Sequence, residues 1–232
     1  MFLTTEEKKI NKSYLEKGYV IKDISDKSSL EWISNFFIKA IGIKNKYSNK
    51  EKFFNNIHRS LNISNLNDFR MDIINKINSS KSFREKFYKV SKPLVDMVVG
   101  NEVVMQKRVS LSIQIPKDDS SLLPIHADTW SGVSPFESVI WLPLVNCKKT
   151  KSMFILPPNK TKKLVKIISN KKIKNSGDLY KKFKKDLHWI DIKYGQIMIF
   201  DHSLPHGNIV NQEKETRWSM NCRYKSIFTP YA

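Results

Sequence analysis

The segment PIHADTWSG, residues 124–132, sets a histidine and an aspartate two apart ahead of a tryptophan. A second dense segment, FDHSLPHGNIVNQEKETRWSMNCRYKS, residues 200–226, adds two more histidines and two arginines. In an extended chain residues i and i+2 share a face, so His126 and Asp128 converge if their segment is a strand. A third ligand from a distant strand completes a facial site of two histidines and one carboxylate. That arrangement leaves one face of a metal open and suits non-haem Fe(II). His206 follows the strand-like run QIMIF and a turn at Pro205; His202, in the same DHSLPH run, competes for that position and is otherwise a neighbour of the metal site or a turn histidine. RWSMNCRY then reads as a strand with Arg217 and Ser219 on one face. A guanidinium is a planar fork matched to a carboxylate, and a nearby hydroxyl adds a further donor.

Outward from these segments the chain divides in two. Residues 1–100 read as mainly helical: Thr4 with Glu7, Ser28 with Glu31 and Ser82 with Glu85 have the spacing of capping boxes. Leu30, Ile33, Phe37 and Ile41, then Leu66, Phe69, Ile73, Ile74 and Ile77, recur at helical spacing. GYVIKDI is a short strand after Gly18, Pro93 predicts a kink or an end to the helix over Phe83–Val90, and polar residues 43–62 predict a loop or lid. From residue 101 to 228 short apolar runs alternate with turns: EVVMQ, RVSLSIQI, SVIWLPLV, KSMFILP, LHWIDI and QIMIF all predict strands. Residues 159–186 interrupt them with eleven lysines, a surface insertion with a helix near Leu179–Phe183. Helices followed by strands predict one α+β domain over 1–232, its second half an antiparallel barrel or sandwich.

The combination H-x-D, H-G-N-x-x-N and R-x-S resembles the 2-oxoglutarate- and Fe(II)-dependent dioxygenases of the phytanoyl-CoA hydroxylase type, and is similar to small bacterial members found in carbohydrate biosynthesis clusters. YLEKGYVIKDI, SVIWLPL and FILPPNK also resemble that family, so the likeness runs over most of residues 8–228. It implies a double-stranded β-helix of the jelly-roll or cupin-like kind with the N-terminal helices packed outside. It implies Fe(II) on His126, Asp128 and His206, and 2-oxoglutarate on Arg217 with Ser219 assisting. Trp141 would line the co-substrate pocket, and Gln114, inward from the preceding strand, is a further candidate there. The implied reaction consumes O2 and hydroxylates a small molecule, a carbohydrate or nucleotide-linked sugar, while decarboxylating 2-oxoglutarate. Asp128 argues against halogenation, because halogenating relatives lack that carboxylate.

The remaining features bear on partners. Net charge is +19, and six of the 41 basic residues are Arg, leaving 35 Lys. A polyanion partner is one reading; the lysines are spread along the chain with abundant Asn and Ile, so A/T-rich codon usage explains the same number. Arg108 and Arg223 are candidates to meet an anionic substrate at the cavity mouth, or else belong to a solvated strand face. Trp130 is either core or a substrate contact, His58 a surface loop or lid residue, and His188 a packed strand residue. Arg217 and Arg223 also form R-x5-R, a pattern shared with alkylation-repair demethylases, and a non-catalytic metal- or sugar-binding barrel is the other rival. No apolar run predicts a signal peptide or a membrane span, and Cys147 and Cys222 fit a reducing cytoplasm.

Overall fold

A computed structural model describes residues 3–44, 46–61, 65–169 and 175–229. Five helices lead. α1 (Thr5–Lys17) starts at the capping box of Thr4 and Glu7 and ends at Gly18, which is left-handed at φ 81°. α2 (Lys27–Ile41) is capped by Asp26, which accepts from the Ser29 N–H at 2.9 Å. The Ser28–Glu31 pair therefore lies inside the first turn: a charged acceptor two residues earlier outcompetes the serine. Likewise α5 (Lys81–Val98) is capped by Ser80, so Ser82 and Glu85 are already helical. α5 runs on through Pro93, because the buried stripe of Phe83, Phe87, Val90, Leu94 and Val95 offsets one missing backbone bond.

The stretch predicted as a loop or lid over 43–62 holds a helix instead. α3 (Lys50–Asn56) is capped by Asn49 and continues into a 3-10 turn over Ile57–Ser60. Phe53, Phe54 and Ile57 are fully buried and fix it; residues 45 and 62 lie outside the described residues. α4 (Leu66–Ser79) completes the helical half.

The strands are β1 (Tyr19–Asp23), β2 (Val103–Met105), β3 (Ser110–Gln114), β4 (Ser138–Pro143), β5 (Phe154–Ile155), β6 (His188–Trp189), β7 (Gln196–Phe200), β8 (His206–Gly207) and β9 (Arg217–Ser226). The main sheet has the order β1-β7-β4-β9-β2, with β3 also on β9, all antiparallel. A smaller sheet runs β6-β5-β8. KSMFILP contributes only two strand residues, since Ser152 and Met153 are spent on the turn that enters the small sheet.

β9 decides which face does what. Trp218, Met220, Cys222 and Tyr224 point to the helices: Trp218 lies 5.3 Å from Phe37 and 5.2 Å from Phe54, ring centre to ring centre, and the Tyr224 hydroxyl meets Ser91 of α5 at 2.8 Å. Arg217, Ser219, Asn221 and Arg223 therefore point the other way. Cross-strand register puts Ser110, Ser112, Gln114, Trp141 and Val139 on that inner face, and Met198 and Phe200 follow through β4. β4 is buried at every position because both faces are covered.

The lysine-rich segment forms α6 (Pro158–Ser169) and α7 (Ser176–Phe183), with residues 170–174 outside the described residues. It is more than a solvated insertion. Leu164, Leu179, Phe183 and Leu187 form a second apolar cluster with Ile125, Phe154 and Leu156 behind the small sheet.

Candidate metal centre and its anion pocket

The two quoted segments meet through their backbones. His126 and His206 exchange both N–H to carbonyl bonds, at 2.9 and 2.8 Å, which adds the PIHAD segment to the edge of the small sheet beside β8. Gly207 makes the approach possible: a Cβ there would lie 2.7 Å from the Leu123 carbonyl oxygen. Ala127 is extended and Asp128 opens a 3-10 turn over Asp128–Ser131, so His126 and Asp128 do share a face.

Each of these two histidines is oriented by a carbonyl two residues before it. His126 Nδ1 meets Pro124 O at 2.7 Å and His206 Nδ1 meets Leu204 O at 2.9 Å. A carbonyl only accepts, so Nδ1 carries the proton and each Nε2 presents its lone pair. Both Nε2 atoms turn to Asp128 Oδ1, at 3.4 Å from His126 and 3.9 Å from His206. One ligand atom from each of the three lies within 4.8 Å of the others, the spacing of a metal triad. His202 is elsewhere: fully buried, with Nε2 at 3.1 Å from Ser134 O and Nδ1 at 3.5 Å from Asp128 Oδ2. Its backbone carbonyl accepts the Asp128 N–H at 3.1 Å, so it shapes the turn that carries the carboxylate.

The electrostatics follow from this crowding. Burial alone would raise the Asp128 carboxyl; the adjacent His126 and His202 imidazoles and the bond from Arg223 more than reverse that and hold it well below the carboxylate range. The Asp128 carboxylate, which would accept from a protonated Nε2, raises His126, whereas burial and the neighbouring His126 push His206 down to about 4. His206 is thus neutral at physiological pH.

Beyond the triad, a cleft is lined by Trp141, Met153, Phe200, Asn208, Asn221 and Arg217. Arg217 is 2% exposed. Its Nη1 donates to Ser152 O at 3.1 Å and its Nη2 to Ser112 Oγ at 2.9 Å, while Nε has no partner among the described residues. No described carboxylate pairs with it, and burial pushes its pKa down to about 10. An isolated buried cation is costly, so an anion is the partner this pocket suits. Ser219 Oγ, two residues on, is likewise buried and unpartnered. The donor set of the triad and the orphaned guanidinium fit a divalent metal and a carboxylate co-substrate.

The other candidates divide. Trp141 is 4% exposed and lines the cleft. Gln114 is outside it: Nε2 donates to Ile209 O at 2.7 Å and braces the loop after β8. Trp130 is 50% exposed on the 3-10 turn rather than in the core. Arg108 is exposed on the loop before β3, and the structure does not bring it to the cavity. Arg223 does reach the site, but its Nη2 lies 2.7 Å from Asp128 Oδ2. His58 is in a 3-10 turn with Nδ1 at 2.8 Å from Thr216 Oγ1, and His188 is exposed, because its side of β6 is uncovered. Ser112, Asn208 and Asn221 were missed; alternation from Arg217 would have flagged Asn221, but Ser112 emerges only once β3 is registered on β9.

Neither a protein-family model nor a curated protein matches this sequence. Solved structures do. HygX from Streptomyces hygroscopicus with iron bound superposes at TM-score 0.61 and 12% identity, over 98% of this chain and 88% of that one. The chain shares its fold. AviO1 from Streptomyces viridochromogenes Tue57 gives TM-score 0.59 at 11% identity, with 100% of both chains covered. EvdMO1 gives 0.59 at 13% identity, and there the present chain spans 50% of the longer protein. HygX has also been solved with nickel and 2-oxoglutarate. Mixed helices and antiparallel sheets are thus the shared architecture. Among the described residues no helix is long and apolar enough to cross a membrane.

Proposed function

We propose that this chain is a non-haem Fe(II)- and 2-oxoglutarate-dependent dioxygenase that hydroxylates a small molecule rich in hydroxyl groups, a carbohydrate or nucleotide-linked sugar. The observation that carries the reading is Arg217: a buried guanidinium with no counter-ion among the described residues, lining the same cleft as His126 and His206. The two sheets then form a double-stranded β-helix with the helices outside and the reaction between the sheets. Similarity to the HygX fold, in a protein solved with iron and with 2-oxoglutarate, supports it.

His126, Asp128 and His206 would hold Fe(II), which supplies O2 activation coupled to decarboxylation of 2-oxoglutarate. Arg217 takes the distal carboxylate through its planar fork, with Ser112 and Ser219 as hydroxyl neighbours. Trp141, Met153 and Phe200 keep that pocket apolar and exclude water. The wider mouth, about 500 Å³, is lined by Ser110, Ser112, Ser120, Ser121, Asn67 and Asn221 together with apolar Met71, Ile74, Leu122 and Leu123. Its two arginines are already paired, Arg70 with Asp118 at 2.9 Å and Arg223 with Asp128 at 2.7 Å. Hydroxyl and amide groups facing the cavity, with spent cations, favour an uncharged polyol at the reacting end over a phosphate. They also disfavour a nucleic-acid substrate, which needs basic and stacking side chains. Both cysteines are buried and free, Cys147 pushed up to about 12 by burial, consistent with a reducing cytoplasm.

The test is succinate formation from 2-oxoglutarate by the Fe(II)-loaded protein, in air and anaerobically, against His126→Ala. Succinate that requires both O2 and His126 supports a dioxygenase. Bound iron and bound 2-oxoglutarate that yield none, across sugars and nucleotide-sugars, would return the chain to a binding barrel.

A further inference from the structure

We propose that Arg223 is a positioning residue that reserves one oxygen of Asp128 and leaves the other to the metal, with Glu137 steadying Arg223 from outside. The inference rests on the metal-centre reading above and extends it to side chains that touch no metal.

The two oxygens of Asp128 are divided. Oδ1 faces the ligand nitrogens, 3.4 Å from His126 Nε2 and 3.9 Å from His206 Nε2. Oδ2 faces away, 2.7 Å from Arg223 Nη2, with His202 Nδ1 at 3.5 Å on the same side. A charge-assisted bond of that length is among the stronger ones available to a carboxylate and fixes its rotation. Arg223 is itself held at both ends. Its backbone N–H donates to Gln106 Oε1 at 3.2 Å and its carbonyl accepts the Gln106 N–H at 2.9 Å. At the other end its Nε makes no hydrogen bond among the described residues, and Glu137 Oε2 stands 3.8 Å away as a longer-range charge partner. Arg223 is on the inner face of β9 for the same reason as Arg217, the period of two that runs 217, 219, 221, 223.

The consequence concerns vacant positions. A facial triad is useful because three protein ligands leave room for co-substrate and O2. An aspartate that chelates with both oxygens would take one of those places. Arg223 prevents that by occupying Oδ2, so one strand carries the co-substrate anchor at one end and the guard of the metal ligand further along.

Co(II) is a suitable probe because its visible absorption reports ligand number without turnover. Wild type, Arg223→Gln, Arg223→Lys and Glu137→Gln are titrated with Co(II) and then with 2-oxoglutarate, and circular dichroism checks folding. Arg223→Gln is expected to alter the Co(II) spectrum and to weaken 2-oxoglutarate binding to the Co(II) protein by about tenfold or more, the range seen when outer partners of metal ligands are removed. Arg223→Lys recovers part of both, and Glu137→Gln, a change at the rim, shows a smaller shift in the same direction even if Arg223→Gln fails to fold. A spectrum and affinity equal to wild type in Arg223→Gln, or in Glu137→Gln should the former not fold, overturns the proposal while leaving the dioxygenase reading intact. Failure of wild type to bind Co(II) overturns both.

Discussion

His126 and His206 are bonded to each other through their main chains in both directions, at 2.9 and 2.8 Å, and their rings lie 4.4 Å apart, centre to centre. The relative placement of the two imidazoles is therefore a sheet property. The tightest point of that pairing is Gly207, where an added methyl would meet the Leu123 carbonyl. Gly207→Ala is expected to push the PIHAD segment away from β8 and to weaken Co(II) binding about tenfold or more, with little change in far-ultraviolet circular dichroism. Unchanged Co(II) affinity would show that the triad does not depend on this pairing.

On the proposed reading, Arg217 separates co-substrate binding from metal binding. Arg217→Met keeps bulk and removes the charge. A charged hydrogen-bonded contact of this kind is worth about 1.5–3 kcal/mol, so calorimetry on the Co(II) protein should show 2-oxoglutarate affinity lower by about one to two orders of magnitude. Metal affinity should hardly move, since Arg217 touches Ser152 and Ser112 rather than the triad.

The histidine shifts predict how metal binding depends on pH. Protons and metal compete for Nε2. His206, at about 4, is already unprotonated near neutrality, whereas His126 is raised above its ordinary 6.5 by Asp128. Metal affinity should thus fall as pH drops through the raised His126 value, with release of about one proton on binding in that window. A second proton enters only as pH approaches about 4. Co(II) titrations in buffers of different ionisation enthalpy would measure both, and affinity independent of pH between about 6 and 8 would contradict this assignment.

Asp26 carries the entry to α2, the helix that sets Phe37 against Trp218 behind the site. Its carboxyl is held down to about 2 by the hydroxyls of Ser29 and Ser28 and the Ser29 N–H. A depressed carboxylate stabilises the fold above its unfolded value and loses that contribution as pH falls toward about 2. Asp26→Ala should cost about 1 kcal/mol in urea unfolding at pH 7, and the difference from wild type should shrink in acid. Equal stability at pH 7 would argue that the cap contributes nothing.

Much of this site was legible because strands have a period of two. That rule paired His126 with Asp128 and Arg217 with Ser219, and the local runs around them announced strands. Capping chemistry marked α1, but misplaced two later starts, since the spacing S-x-x-E does not reveal whether Asp26 or Ser80 stands in a better place just before it. Pro93 misled because a tertiary contact surface, invisible locally, holds the helix through it. What spacing does not encode is which strands lie side by side: Ser112 beneath Arg217, Asn221 across from Trp141, and Gln114 turned to Ile209 all depend on register. Arg223 shows the limit most clearly, a residue read as either a cavity-mouth contact or part of a solvated strand face that in the structure bonds Asp128 Oδ2 at 2.7 Å.

The most direct measurement is an anaerobic titration of the wild-type protein with Fe(II) and 2-oxoglutarate, followed by visible absorption. A metal-to-ligand charge-transfer band that needs both components, and that is lost in His126→Ala and in Arg217→Met at the same concentrations, is the predicted result. Absence of the band in wild type at saturating Fe(II) and 2-oxoglutarate would contradict the account, because the triad and the buried guanidinium would then not act on one co-substrate.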